Sequence, residues 1–239
     1  MASHRYELQI GRMLGRNYRV LEFLGKGWEG EVYKVEERQT GIVRAAKLFY
    51  AHRYAKNKKP SVIYAKKLYE LRHCPVVIQY HNQDIAIVKK EITDFLISDF
   101  VEGEVLSQYI EKQKQARLPI FEAMHLFHAL VQGVEQIHFH GEYHGDIHTD
   151  NIIVQRKGLG FEVKLIDLLH LGKSSNQKIQ TDVYDLIQVL YEMLNGDKFY
   201  AKLPIHIKHL ILGRKKSLIS KKFKEAGHLR LYLDNLDWD

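Results

Sequence analysis

Tyr143–Val154 reads YHGDIHTDNIIV, and the interpretation of the whole chain turns on it. Asp146 and Asn151 stand five positions apart, immediately before an apolar β-branched run. A carboxylate with no partner nearby in the sequence suits accepting a proton from an alcohol, and an amide oxygen one loop later suits a hard cation that prefers oxygen ligands. That is the spacing of a phosphoryl-transfer loop. A polar turn feeding a strand would have the same pattern, so the flanking sequence decides between the two.

The chain has 239 residues, enough for a substantial core in one or two domains. Its single cysteine, Cys74, excludes an intramolecular disulfide or a multi-cysteine metal cluster and points to a reducing compartment. The first residues carry charges throughout and lack the apolar core of a signal peptide, and no apolar run approaches a membrane span; a cytoplasmic location is expected. The net charge of +7 favours acidic partners. Eight basic residues and no acid lie between Lys202 and Lys224, but no aromatic platform is interleaved with them, so a solvated helix face is favoured over nucleic-acid binding.

Upstream, periodicity predicts strands over Tyr18–Leu24, Glu31–Val35 and Ile42–Tyr50, after an N-terminal arm of residues 1–13. Between the first two lies Gly25-Lys26-Gly27-Trp28-Glu29-Gly30. In a dinucleotide fold such glycines open a helix; here Glu31–Val35 continues as a strand, which makes a glycine-rich hairpin able to bring backbone N–H groups close to phosphate oxygens. Trp28 falls at its tip, either over a ligand or as an exposed hairpin aromatic. Lys47 follows the last glycine by 17 positions, on a strand where a lysine is as often a simple edge residue. A helix is predicted over Pro60–His73, then strands over Val76–Tyr80, Ala86–Val88 and Asp94–Phe100. A long helix follows over Pro119–His140, whose histidines lack carboxylates or cysteines at metal-ligand spacing. A hairpin turn at Lys157-Gly158-Leu159-Gly160 leads to a strand ending on Asp167. Thr181–Asn195 reads as a buried helix, and Leu203–Leu236 as two more.

The central stretch resembles the catalytic loop of the protein kinase superfamily, with His144, Asp146 and Asn151 at the positions of H-x-D-x-x-x-x-N, and the hairpin resembles its phosphate-covering loop, with Gly25, Gly27, Gly30 and Val32 in place. The resemblance runs from about Tyr18 to about Gly196. It implies an α+β, bilobal fold: one kinase domain over 1–239, with a β-rich N-lobe at about 14–98, a hinge at about 99–103 and a mainly helical, shortened C-lobe at about 104–239. It implies ATP and Mg²⁺, with Asp146 as catalytic base beside Lys47 and His148, and with Asn151 and Asp167 on the metal. Nucleotide contacts fall on Gly25, Lys26, Gly27, Gly30, Val32, Ala45, Lys47, Asp99, Val101 and Ile153, with Ser98 as gatekeeper. Asp182 would anchor the backbone of the catalytic loop. The family also pairs its lysine with a helix glutamate; the expected position falls near Tyr64, and Glu70, the helix's one carboxylate, comes nearly two turns late.

Three departures narrow the type. Gly145 replaces the arginine that clasps a phosphorylated activation loop, so control through Ser174, Ser175 or Thr181 is not expected. Asp167-Leu168-Leu169 replaces the family's Asp-Phe-Gly, and only 15 positions separate Asp167 from Asp182. HGDIH, with His148, is similar to the loop of small-molecule phosphotransferases, whereas the glycine hairpin is closer to Ser/Thr protein kinases. The expectation is an atypical Ser/Thr protein kinase acting on a hydroxyl, with a small-molecule or glycan kinase acting on an acidic acceptor, or a nucleotide-binding pseudokinase scaffold, as alternatives.

Overall fold

The computed structural model describes residues 5–50, 59–158, 160–168 and 173–236; Leu159 of the predicted hairpin turn and Leu169 of the Asp167 motif lie outside them. The chain divides into two compact units, Met1–Arg72 with Ile78–Val101, and His73–Val77 with Glu102–Asp239.

The first unit is built on six antiparallel strands: β1 (Met13–Leu14), β2 (Tyr18–Lys26), β3 (Gly30–Glu37), β4 (Val43–Phe49), β5 (Tyr80–Val88) and β6 (Glu91–Asp99), in the order β1-β2-β3-β4-β6-β5. Helix α1 (Pro60–Glu70) packs against β5 and β6 and begins on its proline, whose missing N–H costs nothing in a first turn. Alternation along β3 and β4 sends Tyr33, Val35, Ala46 and Leu48 into a core shared with Val20, Phe95 and Ile97. Val32 and Lys47, which are register partners, lie on the opposite face with Ala45.

Two expectations are corrected here. Val76–Tyr80 is not a strand of its own: Val77 makes an isolated parallel bridge to Leu165, and β5 begins only at Tyr80, which pairs with Ser98. The polar run His81–Asp84 obscured β5 because this is an edge strand with one solvated face, on which Ile85 and Ile87 are also exposed. The N-terminal arm is packed rather than pendant, with Tyr6 and Leu8 buried in the sheet's core. What holds it is Glu31, which is itself buried. Its carboxylate accepts the backbone N–H of Tyr6 at 2.9 Å and of Glu7 at 3.2 Å, and the hydroxyls of Tyr50 at 2.8 Å and of Tyr33. Burial pushes this carboxyl's pKa up, but the four hydrogen bonds outweigh it and hold it below the ordinary glutamate range. The same Glu31 pushes the pKa of both tyrosines upward, adding to their burial.

The second unit contains α2 (Leu106–Glu111), α3 (Ile120–Phe139), α4 (Asn176–Met193), α5 (Gly196–Phe199) and a small sheet of β7 (Glu104–Val105), β8 (Ile152–Lys157) and β9 (Gly160–Leu165). Three helices follow where two were expected: α6 (Ile205–Ile211), α7 (Lys216–Lys222) and α8 (Ala226–Asp234). Leu212, Gly213 and Arg214 all take positive φ, which breaks the helical path between α6 and α7. The segment 73–77 belongs to this unit because Val76 seats against Gly133 of α3, where an added Cβ would come within 2.6 Å of the valine's own Cβ. The Val76 carbonyl also accepts Leu165 N–H at 2.7 Å. Helix α4 starts five residues earlier than predicted, capped by the Ser175 hydroxyl, and ends at Asn195 with φ 47°, a left-handed stop that asparagine tolerates. No helix among the described residues is long and apolar enough to cross a membrane.

Candidate active site

In the second unit the site is assembled on the turn between α3 and β8. Asp182 of α4, fully buried, accepts Gly145 N–H at 2.6 Å through Oδ1 and His144 N–H at 2.7 Å through Oδ2. His138 of α3 lies 3.2 Å from the same Oδ2, and because its Nδ1 accepts Ala226 N–H at 3.2 Å, its Nε2 carries the proton and donates. One carboxylate thereby ties the loop to α3, α4 and α8. Gly145 has φ 84°, a conformation that a side chain would strain.

His144 is locked in the same way. Its Nδ1 accepts Asp146 N–H at 3.2 Å and its Nε2 faces the Ile166 carbonyl at 3.1 Å, which fixes the Nε2–H tautomer. Ile166 N–H in turn bonds the Asn151 carbonyl at 3.0 Å, so the residue before Asp167 is tied to Asn151. Asp167 itself takes φ 59°, an uncommon conformation for a residue other than glycine.

Asp146, His148 and Asn151 form one cluster. The Asn151 amide nitrogen donates to the Asp146 carbonyl at 3.0 Å and to its carboxylate at 3.2 Å. His148 accepts Asp150 N–H through Nδ1 and places Nε2 at 3.5 Å from the Asp146 carboxylate and 2.8 Å from the Asn151 amide. The Asn151 amide nitrogen is thus shared among three partners, two on Asp146 and one on His148. The Asp146 side chain remains 60% exposed while Asn151 is buried, so the carboxylate faces solvent.

Asp185, one turn after Asp182, was missed in the sequence because a mid-helix acid has no motif to mark it. Burial pushes its carboxyl up to about 7, with Asp182 and Asp146 adding to the rise and Lys216 and His148 opposing it. Ile153 lies on β8 opposite Val105, close to Gly103, where φ is 132° and a Cβ would meet the Val154 carbonyl at 2.5 Å. Among the described residues no three His, Cys, Asp or Glu side chains converge on a metal position. Asn151 and Asp167 carry oxygens of the kind Mg²⁺ prefers, and the Ile166–Asn151 backbone bond ties the segments that bear them.

In the first unit, Gly25 pairs with Val32, and Val32 with Lys47, placing these on one face with Ala45. Gly30 is required by packing, since a Cβ there would lie 1.8 Å from the Leu48 carbonyl. A Cβ at Gly25 or Gly27 would meet nothing within 4 Å, so no group among the described residues accounts for those two glycines. Lys26 is exposed at the end of β2, and Trp28 is exposed at 62%. Ser98 is buried on β6 opposite Ala45, and the Asp99 carboxylate pairs with Arg44 at 3.2 Å and His81 at 2.5 Å, while its N–H bonds the Gln79 carbonyl. Val101 closes this unit, half-buried. Lys47 lies 2.9 Å from Glu29, and not beside Glu70, which is exposed at the far end of α1, so the expected pairing with Glu70 is corrected. An acid inside the glycine hairpin was the signal for Glu29, legible only once the β3–β4 register was known.

Comparison with known proteins adds the family. The model described as "Protein kinase domain" matches residues 18–184. A Lactococcus lactis protein named "Probable serine/threonine-protein kinase PknB" is 23% identical over 217 residues, covering 79% of this chain and 33% of that protein. A probable serine/threonine-protein kinase of Clostridium perfringens is 26% identical over 216 residues, covering 78% of this chain and 30% of its own length. The smooth-muscle myosin light chain kinase of Gallus gallus is 29% identical over 150 residues, covering 63% and 8% respectively. The chain thus spans about a third or less of the length of these curated relatives.

Proposed function

This chain belongs to the protein kinase family, and from that premise we propose that it transfers the γ-phosphoryl group of ATP to a serine or threonine hydroxyl of a protein, in the cytoplasm. The observation that carries the reading is the seat of Asp146: an exposed carboxylate on a backbone pinned by Asp182 and braced by Asn151. Asp146 accepts the hydroxyl proton as the acceptor oxygen bonds to phosphorus and the bond from the γ-phosphorus to the β–γ bridging oxygen breaks, releasing ADP. His148, within 3.5 Å, steadies the charge on Asp146. Asn151 and Asp167 would hold Mg²⁺, which would supply neutralisation of the charge on the phosphates. Lys47 holds the nucleotide phosphates, and the open surroundings of Gly25 and Gly27 suit close approach of the backbone to them. In the first unit Lys26, Gly30, Val32, Ala45, Asp99 and Val101 are the further nucleotide-contacting residues of this reading, and in the second unit Ile153 is.

One observation favours a second reading, a small-molecule or glycan acceptor. Helix α4 begins at Asn176, only eight positions after Leu168, which leaves little chain to shape a peptide groove. Incubating the purified chain with γ-labelled ATP, Mg²⁺ and a cell lysate, then separating protein-bound from small-molecule label, distinguishes them. Protein-bound label that falls about 10²- to 10⁴-fold with Asp146→Ala is the expected result. Label confined to small molecules selects the second reading, and equal label from wild type and Asp146→Ala leaves a nucleotide-binding scaffold.

A further inference from the structure

The Lys47 ammonium sits in a nearly closed environment in the first unit, with side-chain exposures of 10% for Lys47 and 13% for Glu29, its partner at 2.9 Å. The ring of Tyr64, from α1, is buried with its centroid 4.8 Å from the same Nζ, and the Phe49 ring lies at 5.6 Å. Tyr64 stands where the sequence analysis expected the helix carboxylate.

We infer that Glu29 is a positioning residue: from the glycine hairpin it supplies the counter-charge to Lys47 that α1 does not carry, and so sets the ammonium for the nucleotide phosphates. The inference rests on the kinase reading and deepens it. A buried ammonium needs a carboxylate or it is destabilising. An aromatic face attracts a cation but brings no charge to balance it. The one carboxylate of α1, Glu70, is exposed at the helix end.

The backbone makes the placement of Glu29 reproducible. Gly30 pairs with Phe49, and the 1.8 Å that a Cβ would leave to the Leu48 carbonyl shows how closely β3 is pressed onto β4 at this point. Tyr50 N–H bonds the Glu29 carbonyl at 2.8 Å, and Gly27 N–H bonds the Gly30 carbonyl at 2.9 Å, closing the tip. Glu29 is thereby fixed to the strand that carries Lys47.

The test uses the full chain as wild type, Glu29→Asp, Glu29→Gln and the double variant Glu29→Gln/Tyr64→Glu. Three quantities are measured: phosphotransfer rate, affinity for ADP with Mg²⁺, and the rate at which acetic anhydride labels Lys47 in the nucleotide-free protein, read by peptide mass spectrometry at pH 7.5. Glu29→Gln should slow phosphotransfer about 10²-fold, the scale of a misplaced reacting group. It should also speed Lys47 labelling about 3- to 10-fold, since the amine loses the carboxylate that favours its charged form. Glu29→Asp should fall between, and Tyr64→Glu in the double variant should return both rates to within about threefold of wild type by restoring a carboxylate from the helix. Unchanged labelling in Glu29→Gln overturns the inference, as does a rise in phosphotransfer or ADP affinity, which would make Glu29 a latch over the phosphate site. If wild type transfers no phosphate, the kinase reading fails by itself, and the labelling rates of the single and double variants still decide whether Glu29 sets Lys47.

Discussion

The Asp182 carboxylate receives the backbone N–H groups of both His144 and Gly145, at 2.7 and 2.6 Å, from a position 37 residues beyond Gly145 on a buried helix. The turn between α3 and β8 is held because two of its donors are satisfied by one buried acceptor. The His138 hydrogen bond to the same carboxylate carries the constraint back to α3.

Replacing Asp182 with alanine should therefore do two separable things. It strands buried N–H donors, each worth about 1–3 kcal/mol, so urea melts should show a loss of about 3 kcal/mol or more. It should also slow phosphotransfer about 10²-fold in the fraction that remains folded, with ADP affinity nearly retained. A rate that falls only in proportion to the unfolded fraction would show that Asp182 stabilises the unit without positioning the loop.

Asp167→Asn should weaken nucleotide binding in the presence of Mg²⁺ by more than in its absence. The amide keeps an oxygen but loses the charge that a hard cation requires. Titration calorimetry with ATP, with and without Mg²⁺, reads the difference directly. Equal losses in both would remove Asp167 from the metal site and leave Asn151 Oδ1 without its proposed partner.

The candidate site could be proposed from the sequence because phosphoryl-transfer chemistry demands fixed residue types at fixed spacing within one contiguous turn. Asp146, Asn151, Asp167 and Asp182 could be named from the sequence, and the structure gathers Asp146, His148 and Asn151 into hydrogen-bonding distance. Glu29 was not legible as a partner of Lys47, since that pairing exists only through the β3–β4 register and the pressed contact at Gly30. Of strand β5 only Ala86–Val88 was read, because its polar residues 81–84 resemble a turn and the apolar Ile85 and Ile87 lie on the exposed face. The packing of the N-terminal arm was hidden for a related reason: Tyr6 is buried by hydrogen bonds to Glu31, 25 positions away, and local periodicity carries no trace of them.

Glu31 gives a prediction of its own. Its carboxyl titrates below the ordinary value of 4.5 in the folded protein, so it contributes stability above that pH which is lost as pH falls through the folded value. Glu31→Gln should cost about 1–3 kcal/mol at pH 7, because the buried charge and its hydrogen bonds go together. The gap from wild type should narrow in melts below pH 4.5. Hydrogen exchange should accelerate at Tyr6 and Leu8 before it does in β6. Protection of the arm unchanged in Glu31→Gln would show that Tyr6 and Leu8 hold it by apolar burial alone.

Asp185 carries the opposite sign. Its carboxyl is raised from 3.8 to about 7, first by burial and then by Asp182, so the folded chain holds the proton more tightly than the unfolded one. The stability this group contributes is fully present below about pH 3.8 and lost as pH rises through about 7. Above that pH wild type carries a poorly solvated negative charge beside Asp182 and Asp146, only partly offset by Lys216 and His148. Asp185→Asn resembles the protonated acid at every pH. It should therefore melt higher than wild type at pH 8.5, with the difference shrinking at pH 6 and absent near pH 4. Lys216→Met should act in reverse, lowering the melting temperature most at pH 8.5, where the ionised carboxylate needs the ammonium. A pH-independent gap between Asp185→Asn and wild type would mean that Asp185 stays ionised across the range, and that its neighbours stabilise the charge more than burial opposes it.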